Sequence, residues 1–317
     1  MTVYSKQPLR PSQHVEQWRR RGLELAESER ERAEHYLAVI GYYRLSAYTL
    51  PFQLGNPDHR FRPGTQFEQI LDLYRFDREL RLLVLDAIER IEVAIRSQLN
   101  NHMSCAYGTH WYLDEKHFDG KYDHKKLLSD VERSCRRSSE AFVRHYRSKY
   151  TEPRLPPSWM VTEMLTYGQL SRVYDNLASF KDQKAIARSL GTTAELLRSW
   201  AHAISYLRNL CAHHMRLWNR VLANAPKTPK HPGSNWIRWP IRLDDPGIEA
   251  QKRLYPALAV IEYLLQAVNP SSTWHLRFKE LMDRYPGVSR THMGMPMDWD
   301  SDPFWRLTRE QAGARHD

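Results

Sequence analysis

The stretch FEQILDLYRFDRELRLLVLDAIERIEVAIRSQL, residues 67–99, decides the fold class. Its apolar side chains recur at steps of mostly three and four residues: Phe67, Leu71, Tyr74, Leu80, Val84, Ile88, Ile91, Ile95 and Leu99. This spacing predicts one long helix with a single apolar face. The other face carries acids four residues ahead of bases: Asp77 with Arg81, Asp86 with Arg90, and Glu92 with Arg96. Such pairs are typical of a solvated helix surface.

The rest of the chain predicts more helices and no sheet. Glycine is scarce, at 13 residues, and alternation of β-branched side chains is hard to find. Helical periodicity recurs in residues 15–48, in 124–150, in 159–177, and from about Thr193, where a threonine can cap the helix. We expect breaks near Gly22 and Gly41, and Gly168 in the middle of the helix over 159–177. The predicted fold class is all-α, a helical bundle.

A proline-rich connection, APKTPKHPGSNWIRWPIRLDDPG, begins at residue 225 and marks the expected end of the main body. The predicted division is a helical domain over residues 1–225 and a C-terminal helical extension over 226–317. Two further helices are expected in the extension, within residues 251–269 and 272–285. We expect the extension to pack on the first region, and side chains of its tail can lie against the body: Met293, Met295, Met297, Trp299, Phe304 and Trp305.

The charge of the chain favours a polyanionic partner. The formal net charge is +10, and 35 of the 47 basic residues are arginine, which suits bidentate contact with phosphate. The alternative is a basic but merely solvated surface. The three cysteines show no Cys-x-x-Cys spacing, which favours a reducing compartment. Because no stretch has the apolar length of a signal peptide or a membrane span, we expect a cytoplasmic protein with no membrane partner.

The stretch RNLCAHH, residues 208–214, is the candidate for chemistry. It places Arg208 five residues before His213, a pattern that the arginine and histidine counts produce about once or twice by chance. The same pattern joins Arg30 to His35, but there the neighbouring glutamates would pair with the arginine and repel RNA. Histidine exchanges protons near neutral pH and arginine clamps phosphate, so the pair suits RNA cleavage through the 2′-hydroxyl without a metal ion.

Two other interpretations of this stretch stay open from the residues alone. His213 or His214 can be a buried, hydrogen-bonded histidine, with Arg208 in a salt bridge between helices. A zinc site is the second alternative, with four candidate ligands: His202, Cys211, His213 and His214. Cys211 and His214 share a helix face, but His213 points elsewhere, and we predict no metal site.

Four blocks resemble the Abi-like abortive-infection proteins of the AbiD/AbiF type, in that family's order. The blocks are IGYYRLSAYTLPF (40–52), LYRFDRELRLLVLDAIERIEVAIRSQL (73–99), PPSWMVTEMLTYGQLSRVY (156–174) and RNLCAHHMRLWNR (208–220). The resemblance implies the HEPN superfamily, helical bundles that act as metal-independent ribonucleases in antiphage and toxin–antitoxin systems, with no cofactor. It places the catalytic arginine at Arg208, the histidine at His213 and the polar residue after the arginine at Asn209. Glu163 also matches the family pattern, and its expected role is either in packing or in orienting Arg208.

HEPN nucleases generally build a site from two R-x4-H motifs, and this chain has one credible copy. The resemblance therefore implies a homodimer in which each protomer contributes Arg208 and His213. The expected activity is an endoribonuclease that leaves 2′,3′-cyclic phosphate ends. A noncoding RNA or an antitoxin is a possible further partner.

RNA contacts are expected from further basic residues: His214, Arg216, Arg220, Arg144 and Arg147, with Arg136, Arg137 and Lys149 beside the last two. The alternative for the run over residues 136–149 is a solvated helix face. The rival function is a non-catalytic RNA-binding or assembly module that holds a small structured RNA or a protein. A helical transcription regulator is weaker, because no convincing helix-turn-helix appears.

Overall fold

The computed structural model describes residues 7–55, 57–230 and 236–305, together with the single residues 3 and 232. Within these ranges the secondary structure is helical, with short 3-10 turns, isolated bridges and no strand. The all-α fold class is therefore confirmed. The helices are α1 (Pro11–Arg20), α2 (Arg30–Ile40), α3 (Tyr42–Thr49), α4 (Phe67–Tyr107), α5 (His124–Arg137), α6 (Ala141–Lys149), α7 (Ser158–Met164), α8 (Tyr167–Asp175), α9 (Phe180–Ser189), α10 (Ala194–Ala212), α11 (Leu254–Val268) and α12 (Trp274–Arg284).

Helices end at glycines, and one helix starts at a threonine cap, where the sequence predicts these boundaries. Gly22 and Gly41 have φ values of 94° and 89°, a region that L side chains rarely adopt, and both interrupt the helices of the first fifty residues. The Thr193 side chain accepts the hydrogen bond that caps α10. The long helix α4 continues beyond Leu99 to Tyr107, and Gly108, with φ 91°, follows it.

Residues 124–150 are helical, as predicted, and form two helices, whereas the prediction of a single helix over 159–177 was wrong, because that segment also forms two helices. Residues 138–140 separate α5 from α6, where the Ser138 hydroxyl accepts from the Glu140 N–H. Thr166 starts α8 with a capping box to Gln169, which satisfies the N–H groups that a continuous helix would otherwise bond. The break therefore lies at Leu165 and Thr166, and Gly168 is inside α8.

The chain divides into two compact units. The first unit comprises Met1–Leu80 and Leu281–Val288, and the second comprises Arg81–Glu280 and Ser289–Asp317. Trp18, Leu45 and Phe67 are almost fully buried in the first unit, where α2 packs on both α1 and α3. The division predicted at residue 225 stays a prediction, and neither unit ends there.

In the second unit, α10 packs against α8, α9 and α11. The ring of Trp200 on α10 stacks on Trp236 at 5.6 Å, and the Trp274 indole N–H donates to the Leu83 carbonyl of α4 at 2.8 Å. Residues after 225 therefore pack on helices of the main body within this unit. Five of the six predicted tail side chains are buried, whereas Met297 is 59% exposed. Residues 306–317 of the predicted extension lie outside the described ranges.

The charged face of α4 differs from the solvated surface that the sequence predicts. Asp86 and Arg90 form an exposed pair at 2.8 Å, as expected. Asp77, Arg81 and Arg96, in contrast, are each buried, so the prediction was wrong for these two pairs. Spacing along a helix shows which side chains share a face, but other elements of the fold decide whether water reaches that face.

No helix in the described ranges combines the length and the apolar character that a bilayer crossing requires.

Candidate functional site

The candidate site lies at the carboxyl end of α10, a helix of 19 residues or about 28 Å. Its buried face fixes the helix in the second unit: Leu197, Trp200, Ile204 and Leu207 are each at most 1% exposed. Ser205 on the same helix is also buried, and a Cβ placed on Gly168 of α8 would lie 3.3 Å from its hydroxyl oxygen. Glycine at 168 therefore allows α8 to approach α10 closely, one helical turn before Arg208.

Arg208 is half-buried near the carboxyl end of α10, four residues before its last residue, Ala212. Its guanidinium makes no hydrogen bond or ion pair with any residue that the structure describes. The sequence also places no Asp or Glu between Glu195 and Asp244, so no acidic side chain is near it along the chain. A half-buried guanidinium without a carboxylate keeps its five N–H donors available for a planar anion such as phosphate.

His213 follows α10 directly and is exposed. Its backbone N–H donates to the Asn209 carbonyl at 3.0 Å, so the helical hydrogen-bond pattern extends to it. Helix geometry then separates Arg208 and His213 by about 7.5 Å along the axis and about 140° around it. Asn209 is exposed and lies between them in angle, and no described residue bonds its side chain or that of His213. The structure thus places the three predicted catalytic residues together at one helix end.

A two-bond cap turns the chain after His213. The Met215 N–H donates to the Leu210 carbonyl at 2.8 Å and the His214 N–H to the Cys211 carbonyl at 3.0 Å, as in a Schellman motif. His214 occupies the left-handed position of this motif, with φ 56°, where glycine is the usual residue. Histidine is among the few side chains enriched there. The cap directs the residues after His213 away from the helix axis.

The segment after the cap is anchored by Trp218. This side chain is 1% exposed, and its indole N–H donates to the Ser289 carbonyl at 3.1 Å. Arg81 of α4 donates to the Met215 carbonyl at 3.5 Å. Arg216 and Arg220 are half-buried, and the Arg220 Nε donates to the Arg216 carbonyl at 2.7 Å. Two further predicted RNA contacts, Arg216 and Arg220, therefore belong to the anchored segment that follows His213.

A family model described as Abi-like protein matches residues 35–219. The chain belongs to the Abi-like protein family. Membership indicates a role in abortive infection, a defence against phage. No curated protein and no solved structure matches the chain. The matched range includes Arg208, Asn209, His213 and Arg216 and stops one residue short of Arg220.

The Abi-like match also covers α4, α7 and α8, and hydrogen bonds connect α4 to the turn between α7 and α8. Arg96 of α4 donates to the Leu165 carbonyl at the end of α7 at 3.1 Å and to Glu92 at 2.6 Å. Cations at a helix carboxyl end are stabilising, so Arg96 fixes the turn from which α8 starts. The buried Tyr167 phenol lies in that turn, and burial, followed by the charge of Glu92, raises its pKa. Contacts within the second unit thus join the part of the second sequence block after Leu80 to the third block.

Three other predicted site residues, Glu163, Arg144 and Arg147, form no described hydrogen bond or ion pair with Arg208 or His213. Glu163 is an exposed residue of α7 that forms no hydrogen bond or ion pair with Arg208. It lines a cavity of about 830 Å³ whose charged residues number two arginines and three carboxylates: Arg133, Arg137, Asp130, Glu140 and Glu163. Arg144 and Arg147 are exposed on α6, without an ion pair to any described residue. Their contact with RNA, and any orienting role of Glu163, stay predictions.

The second Arg-x4-His match has different surroundings. Arg30 donates to Glu34 at 3.0 Å and to Glu27 at 3.3 Å, and Glu16 lies 3.2 Å away. The Arg30 guanidinium therefore pairs with three carboxylates, whereas no described carboxylate contacts Arg208. The zinc alternative also finds no support, because no group of three or more His, Cys, Asp or Glu among the described residues is arranged to hold a metal ion. Cys211 is buried, whereas His202, His213 and His214 are exposed.

Proposed function

We propose that this Abi-like protein is a metal-independent endoribonuclease of the HEPN type, which cleaves RNA in the bacterial cytoplasm during phage infection or as a toxin. One observation carries the proposal: the half-buried guanidinium of Arg208 has no described partner, and the exposed His213 lies five residues further along, at the end of the same helix. Membership in the Abi-like family supports the setting in abortive infection. The excess of arginine supports a polyanionic substrate.

The proposed reaction is an attack of a ribose 2′-hydroxyl on the adjacent phosphorus. A histidine takes the 2′-hydroxyl proton while the O2′–P bond forms and the P–O5′ bond breaks. The leaving 5′-oxygen accepts a proton, so the products carry a 2′,3′-cyclic phosphate and a 5′-hydroxyl. His213 is the residue for the proton transfers, which contribute about 10²- to 10⁴-fold. Arg208 stabilises the charge that gathers on the non-bridging oxygens, and Asn209 orients the pair.

A homodimer is the proposed active form. The reaction needs a base at the 2′-oxygen and an acid at the 5′-oxygen. Each protomer supplies only one proposed catalytic histidine, His213. A twofold axis that brings two α10 ends together would supply both histidines and two arginines. The exposure of Asn209 and His213 leaves this helix end free for such a contact.

Cleavage of RNA in the presence of EDTA tests the proposal. Purified protein, incubated with end-labelled total RNA in EDTA, is expected to produce fragments with 2′,3′-cyclic phosphate and 5′-hydroxyl ends, identified by their resistance to ligation before phosphatase and kinase treatment. Fragments with 3′-hydroxyl ends, or cleavage only after Mg²⁺ is added, would contradict it. Tight RNA binding with no product from any RNA would favour the non-catalytic binding module instead.

A further inference from the structure

A second basic surface lies near the amino end of α10, away from Arg208. It is a cavity of about 1140 Å³ in the second unit, formed by α9, the start of α10 and the loop over residues 225–230. Five lysines or arginines and one glutamate line it, so its net charge is +4: Lys184, Arg188, Lys227, Lys230, Lys252 and Glu195. We refer to this surface as the α9 groove. The cavity beside Glu163, in contrast, has two positive and three negative residues, a net charge of −1.

Three side chains of the α9 groove follow one face of α9. Phe180, Lys184 and Arg188 are four residues apart, so they lie one above the other along the helix. The Phe180 side chain is 57% exposed, which is unusual for phenylalanine, and no described helix covers it. The Lys184 Nζ lies 4.8 Å from the centre of the Phe180 ring. An aromatic ring and two cations thus form a continuous exposed row.

Most cations of the α9 groove are not neutralised by carboxylates. Lys227 pairs with Glu195 at 2.8 Å and Lys252 with Glu249 at 2.7 Å. Lys184, Arg188 and Lys230 form no ion pair within 4.0 Å with any described residue, although the charge of Lys230 contributes, after that of Lys227, to the lowered pKa of Glu195. A groove that presents free cations beside an exposed ring matches single-stranded nucleic acid, whose phosphates need the charges and whose bases stack on aromatic rings.

We propose that the α9 groove binds single-stranded RNA, with Lys184, Arg188 and Lys230 on phosphates and Phe180 under a base. The inference rests on the proposed function, because it takes the ligand to be the RNA that the Arg208 site cleaves. Glu195 in the groove and Arg208 are on one helix, 13 residues or about 20 Å apart along its axis. Stacked nucleotides advance about 3.4 Å each, so about six nucleotides span that distance. The groove therefore holds the strand on which the α10 end acts.

Binding of a labelled single-stranded RNA of about twelve nucleotides, twice the span of about six, tests the groove. It is measured with full-length protein that carries His213→Ala, so that cleavage does not consume the probe. The double variant Lys184→Gln/Arg188→Gln is expected to bind less tightly and to reduce the slope of log K against log salt by about 1.4, at about 0.7 per phosphate contact. Phe180→Ala is expected to raise Kd by about 5- to 150-fold, and Phe180→Tyr to restore binding.

The matched control is Lys125→Gln/Lys126→Gln, which removes the same charge from exposed, unpaired lysines of α5. Equal binding by the groove variants, the control and the parent protein would overturn the α9 groove, as would a parent protein that binds no RNA. Cleavage by the wild-type protein is scored separately. The wild-type protein can fail to cleave RNA while the groove variants still bind RNA less tightly. In that case the nuclease proposal fails, and the proposal that the α9 groove binds RNA is supported.

Discussion

Replacing His213 by alanine is expected to lower the rate of RNA cleavage by about 10²- to 10⁴-fold, the range for loss of a general acid–base group. Arg208→Ala is expected to cost about 10²- to 10³-fold through lost stabilisation of the transition-state charge. Arg208→Lys keeps the charge but not the planar fork, so it is expected to recover only part of that loss. Single-turnover rates on a labelled RNA, at equal dimer concentration, provide the measurement.

The second Arg-x4-His match supplies the control for this prediction. His35 is exposed, as His213 is, and follows an arginine at the same spacing, but Arg30 is bound by glutamates. His35→Ala is therefore expected to cleave at the wild-type rate. An equal loss in His35→Ala and His213→Ala would indicate a general effect on the protein rather than a catalytic role. Full activity of a folded His213→Ala protein would remove His213 from the mechanism.

Trp218→Ala is expected to lower the free energy of unfolding by about 3–5 kcal/mol, the range for removing a fully buried Trp. Trp218 is 1% exposed, and it holds the segment that follows His213 against the Ser289 carbonyl. The cavity would loosen that segment, so cleavage is expected to fall even at temperatures where the protein stays folded. Denaturant unfolding and cleavage rates at low temperature measure the two effects.

Two variants calibrate this result. Trp218→Phe keeps most of the apolar volume and loses the indole hydrogen bond, so a loss of about 1 kcal/mol is expected. Trp159→Ala removes the same side chain at a position that is 45% exposed and is expected to change stability by less than about 0.5 kcal/mol. A Trp218→Ala protein as stable as Trp159→Ala would show that Trp218 does not anchor the segment.

Helices were predictable where local sequence determines them. The apolar repeat over residues 67–99 predicts α4 because one period persists over many turns, and Thr193 predicts the start of α10 because a threonine cap is a local interaction. The end of α4 was missed by eight residues, although the buried Met103, four residues after Leu99, continues the apolar spacing among otherwise polar neighbours. Thr166 and Gln169 have the spacing of a capping box, a signal that would have located the break between α7 and α8.

Properties that depend on tertiary packing were not predictable in this way. Spacing pairs Glu92 with Arg96, but only the approach of the α7 end explains why Arg96 is buried. The residues of the α9 groove come from positions 180–252, so no short motif contains them. For the candidate site, the motif supplied Arg208 and His213, and the neighbouring glutamates predicted that Arg30 is paired, whereas the partial burial of Arg208 and the contact of Arg30 with the distant Glu16 are properties of the folded chain.

The most direct measurement uses an RNA with a single 2′-deoxynucleotide immediately 5′ to a mapped cleavage site, incubated with wild-type protein in EDTA. If the 2′-hydroxyl is the nucleophile, cleavage at that bond stops and cleavage at other sites continues with cyclic phosphate ends. Unchanged cleavage at the deoxy position would contradict the account, because the nucleophile would then be water or a protein group rather than the RNA itself.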